Sequence, residues 1–115
     1  MAITRHKSGA RMSAAVVHNN TVYLAGQVSG DEPTTKAQTE AVLKKIDELL
    51  AAAGTNKSKL LSATVYITDM NTFAEMNAAW DAWVAPGSTP ARATVEVKLA
   101  SPKYRVEIMA IAAVD

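Results

Sequence analysis

Apolar residues recur with a helical period between residues 34 and 53. Ala37, Ala41, the Val42/Leu43 pair, Ile46, Leu49, Leu50 and Ala53 form one stripe, and Lys36, Glu40, Lys44 and Glu48 fall mostly elsewhere. The spacing predicts a helix from Thr34 to Ala53, with Pro33 suited to its first turn and Gly54 to its end. Upstream, Arg11–His18 and Thr21–Val28 read as strands, and Asn19-Asn20 between them is a turn signal, since asparagine tolerates positive φ. Ser29–Pro33 is a loop. Past the polar segment Thr55–Lys59, Leu60–Thr68 is rich in β-branched and apolar residues and reads as a third strand. Asp69 and Asn71 are cap residues, and Thr72-Phe73-Ala74-Glu75 fits a capping box. A second helix then runs through Phe73, Met76, Asn77, Trp80, Trp83 and Val84, and Pro86-Gly87 ends it. Two strands, Thr89–Leu99 and Tyr104–Ile111, close the chain on either side of Ala100–Lys103.

The predicted order is ββαβαββ over one domain, residues 1–115. Two helices on one face of a mixed β-sheet is the α+β arrangement that buries both helical stripes. No repeat, internal linker or low-complexity tract interrupts it.

Alternation along the last two strands sorts their side chains into rows. On the first, Arg92, Thr94, Glu96 and Lys98 share one face and Ala93, Val95, Val97 and Leu99 the other, the pattern of a sheet with one covered and one polar face. On the second, Val106, Ile108, Ala110 and Ala112 form one row, and Arg105, Glu107, Met109, Ile111 and Ala113 the other. Both of these rows are mainly apolar. Helices cover only one side, so a partner subunit is expected over the second, with Glu107 at or near that interface.

Composition narrows the chemistry. Twelve basic and eleven acidic side chains leave a net charge of +1, which gives no electrostatic reason to expect nucleic acid or a membrane as partner. There is no cysteine, so no disulfide, thiolate nucleophile or Cys-ligated zinc. His6 and His18 lie outside any ligand spacing, and no metal site is expected. The N-terminal residues lack the apolar core of a secretory signal and no apolar run is long enough to span a bilayer, so a cytoplasmic protein is the expectation.

Within these bounds the candidate chemistry is a fixed cation, Arg92, just past the Pro90-Ala91 corner, and a carboxylate, Glu107, in an apolar row of the next strand. Together they suit a small-molecule site. Taken singly, Arg92 reads as an exposed surface arginine, and Glu107 as half of a structural ion pair or a residue at a wet rim.

Beyond these patterns, the chain resembles the RidA/YjgF family of imine/enamine deaminases over nearly its whole length. Three stretches carry the resemblance: Tyr23-Leu24-Ala25-Gly26-Gln27-Val28, Pro90-Ala91-Arg92-Ala93-Thr94-Val95-Glu96-Val97, and Val106-Glu107-Ile108-Met109-Ala110-Ile111-Ala112. Asn77, in Met76-Asn77-Ala78-Ala79-Trp80, matches a family asparagine on the second helix. The resemblance implies a chorismate-mutase-like fold and a homotrimer with its sites in clefts between subunits. It also implies hydrolysis of reactive 2-imino or 2-enamino acids, released by pyridoxal-phosphate enzymes, to 2-keto acids and ammonia, with no cofactor. Arg92 would bind the substrate carboxylate bidentately, and Glu107 would orient water and carry a proton. Asn77, Thr94, Met12, Ala25 and Gly26 fall at substrate-binding positions.

The chain departs from the family pattern at three of these positions. Met12 stands where the deaminases have a tyrosine, Ala25 replaces a frequent serine and Thr94 a frequent cysteine. The departures keep a second function open, a non-catalytic protein that binds a small carboxylate in the same pocket. An RNA-directed role fits poorly with the charge and with the lack of a histidine pair near Arg92. Elsewhere, Arg5, His6, Lys7 and Arg11 read as a solvated arm, His18 as an exposed turn residue, and Trp80 and Trp83 as core and rim of the second helix.

Overall fold

The computed structural model describes residues 2–115. Seven strands and two helices follow one another: β1 (Thr4–His6), β2 (Ala15–His18), β3 (Thr21–Leu24), β4 (Gln27–Val28), α1 (Thr35–Ala52), β5 (Leu60–Ile67), α2 (Phe73–Trp83), β6 (Ala91–Glu96) and β7 (Val106–Ala113). One sheet runs β1-β2-β3-β7-β5-β6, and β4 also pairs with β7. Only β5 and β6 are parallel, joined by the α2 crossover, so the sheet is mixed as predicted.

The helices form where the periodicity placed them. Thr34 caps α1 by accepting from the Ala37 amide, and Gly54, at φ +84°, lies just past its end. Val42, Leu43, Ile46, Leu49 and Leu50 are buried against the sheet, while Lys36, Glu40, Lys44 and Glu48 face solvent. Asn19 and Asn20 adopt φ of +52° and +63°, which makes the tight β2–β3 hairpin.

Five readings need correction. The basic segment is not wholly a free arm, because Thr4–His6 forms an edge strand in register with Ala15–Val17. His18 is half-buried at the end of β2. Thr72 makes no capping bond to α2. Its hydroxyl donates to the Asp69 carbonyl, and Glu75 instead accepts from the Lys36 amide, tying α2 to the start of α1.

The stretch Thr21–Val28 is two strands. Tyr23 pairs with Ile111 and Gln27 with Ile108, so four steps along one chain face three along β7. The extra residue is a bulge at Ala25-Gly26.

The fifth correction bears on function. The last two strands are not neighbours, since β5 lies between them. Nor does the apolar row of β6 meet the helices. Arg92, Thr94 and Glu96 lie in register with Ala63, Val65 and Ile67, which are buried under the helices, so that row turns inward. Ala93 and Val95 point to the opposite, uncovered face. Val106, Ile108, Ala110 and Ala112 of β7 are buried, which sends Glu107, Met109 and Ile111 to the open side. Tyr23, Val95 and Met109, at 48%, 40% and 38% exposure, make that face apolar. An uncovered apolar sheet face is the feature the doubly apolar β7 predicts.

Candidate active site

Arg92 opens β6 immediately after Pro90-Ala91, a sequence that enters the strand extended and leaves the arginine at its second residue. Its side chain runs under α2. The guanidinium carbon sits 5.2 Å from the centre of the Trp80 ring, and Nη1 donates to the Met76 sulfur at 3.9 Å. Met76 and Trp80 are four apart on α2 and both are buried, so they form one platform. Lys59–Asp115 is the only ion pair among the described residues, and Arg92 is left with its fork of donors unclaimed by acid.

Two more polar atoms on the same side are unsatisfied. The side-chain oxygens Oδ1 of Asn77 and Oγ1 of Thr94 are buried without a hydrogen-bond partner among the described residues. Buried polar atoms are nearly always paired, so orphans beside a free arginine suit a polar ligand group. The resemblance had marked Asn77 and Thr94: Thr94 shares the inward row of β6 with Arg92, and Asn77 follows Met76 on α2.

Glu107 stands in the other group. It lies between Val28 of β4 and Tyr66 of β5 on the open face. Its carboxylate fills the space in front of Gly26: a Cβ there would come within 1.9 Å of Oε2. The bulge at Ala25-Gly26 therefore presents bare backbone to the carboxylate. Ala25 donates its amide to the Ala14 carbonyl, two residues beyond Met12, so the β1–β2 loop borders this group. Met12 is 59% exposed there.

A buried glutamine holds the loops that flank Glu107. Gln38 Nε2 donates to the carbonyls of Glu32 and Lys103, each at 2.9 Å, and Oε1 accepts from the Arg105 amide at 2.8 Å. One side chain thus ties the loop after β4 to the loop before β7.

The two groups do not meet within one chain. From Arg92 to Glu107 the path crosses two strand spacings and three residues, about 14 Å of backbone, and the side chains leave opposite faces of the sheet. A cavity of about 340 Å³ at Thr68, Val97, Lys98, Leu99, Ser101, Pro102 and Tyr104 includes neither residue. The same holds for one of about 370 Å³ at Lys7, Ala14, Gln27, Lys45, Glu48 and Leu49.

Sequence reasoning missed Met76 and Trp80 as partners of Arg92, and Tyr66 opposite Glu107. The usable signal was the Met76–Trp80 spacing bracketing Asn77. No group of three or more His, Asp or Glu able to hold a metal ion occurs among the described residues, and no helix there is long and apolar enough to cross a membrane.

A mixed sheet with two helices on one face and a bulged strand laid against a glutamate defines an α+β class with known members. The family model described as endoribonuclease L-PSP matches residues 3–114, and the chain belongs to that family, the YjgF/RidA family. The RutC family protein YoaB of Escherichia coli is 46% identical over 114 residues, covering 99% of this chain and 100% of its own. A RutC family protein of Haemophilus influenzae is 48% identical over 114 residues, covering 97% and 98% of the two chains. The crystal structure of a YjgF family member from Neisseria meningitidis superposes with a TM-score of 0.94 at 45% identity, over 100% of this chain and 97% of that one.

Proposed function

We propose that this protein hydrolyses 2-imino and 2-enamino acids to 2-keto acids and ammonia, at sites assembled between subunits of a homotrimer. The observation that carries the reading is the split of the two groups. An arginine without an acidic partner lies beside two orphaned buried oxygens on one side of the sheet, and a glutamate set against bare glycine backbone lies on the other. A second copy that covers the apolar open face can bring its own Arg92 group to Glu107.

Each residue then has a chemical task. Arg92 takes the substrate carboxylate through two parallel N–H donors, which fixes the imine carbon in place. Glu107 takes a proton from the attacking water and returns it to the departing nitrogen. Asn77 Oδ1 accepts from an N–H of the substrate, and the Thr94 hydroxyl bonds its carboxylate or carbonyl end. Imine hydrolysis is intrinsically fast, so positioning and proton transfer suffice.

The test couples the protein to an amino-acid oxidase that releases imines and follows the appearance of keto acid. Wild type should accelerate it over a panel of amino acids, and Arg92→Ala should lose about a hundredfold, the scale of a charge-assisted pair. Full activity in Arg92→Ala would sink the assignment. If a keto acid raises the melting temperature through Arg92 while no imine is turned over, the protein is a carboxylate-binding member of the family instead, a reading that the departures at Met12, Ala25 and Thr94 keep in play. An RNA-cleaving role finds little support near Arg92. Both histidines are on β1 and β2, and β3, β7 and β5 separate these strands from β6.

A further inference from the structure

The Trp80 ring and the Met76 sulfur under Arg92 belong to no step described so far. We infer that Trp80 is a positioning residue: its indole face holds the Arg92 guanidinium in the orientation that receives a carboxylate. The inference rests on the reading of Arg92 as the carboxylate-binding residue.

An arginine that must stay free for an anionic ligand has a problem. Held by an aspartate or glutamate, it would be fixed but neutralised. Left loose, it would lose its rotamer freedom on each binding event and bind more weakly. An aromatic face solves this, because it attracts the cation without occupying the in-plane N–H donors. The geometry here has that form. The guanidinium carbon is 5.2 Å from the Trp80 ring centre, Nη1 reaches only the weakly accepting Met76 sulfur, and no carboxylate is paired with Arg92 among the described residues. Trp80 is only 6% exposed and Met76 fully buried, so the platform is itself rigid. The indole of Trp80 also stands 5.5 Å from that of Trp83, at an interplanar angle of 53°, which limits its rotation.

Binding of pyruvate is the measurement, made by calorimetry on the full chain. Trp80→Leu keeps the apolar bulk and removes the π face, and it should weaken pyruvate about tenfold, the size of a partly desolvated cation–π contact. Trp80→Phe keeps a face and should stay within about threefold. In the deamination assay the loss should fall mainly on KM, since Trp80 acts through ground-state binding as well as through the transition state. A double-mutant cycle with Arg92→Lys should show that the two losses are not additive, because a lysine cannot use the flat platform as a guanidinium does.

The apparent affinity alone would not separate positioning from damaged packing, so a second readout is needed. The chain has two tryptophans, and Trp83→Phe leaves Trp80 as the sole tryptophan, read by excitation at wavelengths the tyrosines do not absorb. Saturating pyruvate should then shift Trp80 emission, an effect absent from the same protein carrying Arg92→Ala. This arm stands even if Trp80→Leu fails to fold. Unchanged pyruvate affinity in a folded Trp80→Leu overturns the inference alone, as does calorimetric binding with no change in Trp80 emission. Absence of pyruvate binding by wild type overturns the reading of Arg92 and this inference with it. Binding without imine turnover removes the proposed reaction and leaves the platform standing.

Discussion

Arg92 and Glu107 leave opposite faces of one sheet, and together with the proposed trimer this gives a prediction. Arg92→Ala removes the carboxylate fork. Glu107→Gln keeps the shape of the side chain and removes its basicity, at a cost of about a hundredfold or more for lost acid–base catalysis. Each variant assembled by itself should be nearly inactive. Co-assembled in equal amounts, they should recover activity, because the proposed site between subunits would take Arg92 from one chain and Glu107 from the next. A mixed trimer, two chains of one variant and one of the other, has one complete site of its three, so the rate of the purified mixed assemblies should be about one third of wild type. The assay is the coupled release of keto acid by mixed assemblies, purified through two different affinity tags. If both groups served one site within a chain, every site would lack one residue and mixing would restore nothing. Verified mixed assemblies no more active than the separate variants would refute the shared site. A monomeric mass in light scattering would refute it earlier.

Three further outcomes are expected. Gly26→Ala places a methyl within 1.9 Å of Glu107 Oε2 and must swing the carboxylate aside, so kcat should fall at least about tenfold with little change in Tm; an unchanged kcat would show that the Gly26 cradle does not position Glu107. Gln38→Leu strands the Arg105 amide and the carbonyls of Glu32 and Lys103, and should cost about 3 kcal/mol in urea unfolding, with a loss below about 1 kcal/mol contradicting its role as a staple. The Lys59 ammonium beside Asp115, through its hydrogen bond and then its charge, holds that carboxyl below its ordinary 3.8. A depressed carboxylate stabilises the fold above its unfolded pKa and loses that contribution as pH falls through the folded value. Asp115 is fully exposed, so the effect on stability should be small and show only in acid. Lys59→Ala should move its NMR titration back up to the ordinary value, and an unmoved midpoint would mean the pair does not form in solution.

Asn77, Thr94, Met12, Ala25 and Gly26 were candidates only through the resemblance, whereas both helices with their buried stripes, the asparagine hairpin and the three later strands were legible from periodicity and turn chemistry. Those are local properties: a helical stripe or an Asn-Asn turn is fixed by residues within a few positions of each other. The β1 edge strand was not legible, since Thr4-Arg5-His6 has no apolar alternation and forms only because β2 offers it an edge. The bulge at Ala25-Gly26 was hidden for a related reason. A glycine inside a strand pattern signals either close approach or a bulge, and only the register against Ile108 and Ile111 distinguishes them.

By itself the sequence determined which side chains share a row: Arg92 with Thr94 and Glu96, and Glu107 with Met109 and Ile111. Alternation requires that much wherever the strands lie. It did not determine which row faces the helices. The all-apolar row of β6 looked like the buried one, yet the sheet turns Arg92 inward. β5 pairs in parallel with β6, its buried residues set the face, and α2 offers the guanidinium of Arg92 a ring and a sulfur to lie against. That choice depends on a partner strand and a helix distant in sequence, so tertiary structure alone made it. With it came the separation of Arg92 and Glu107 onto opposite faces of the sheet.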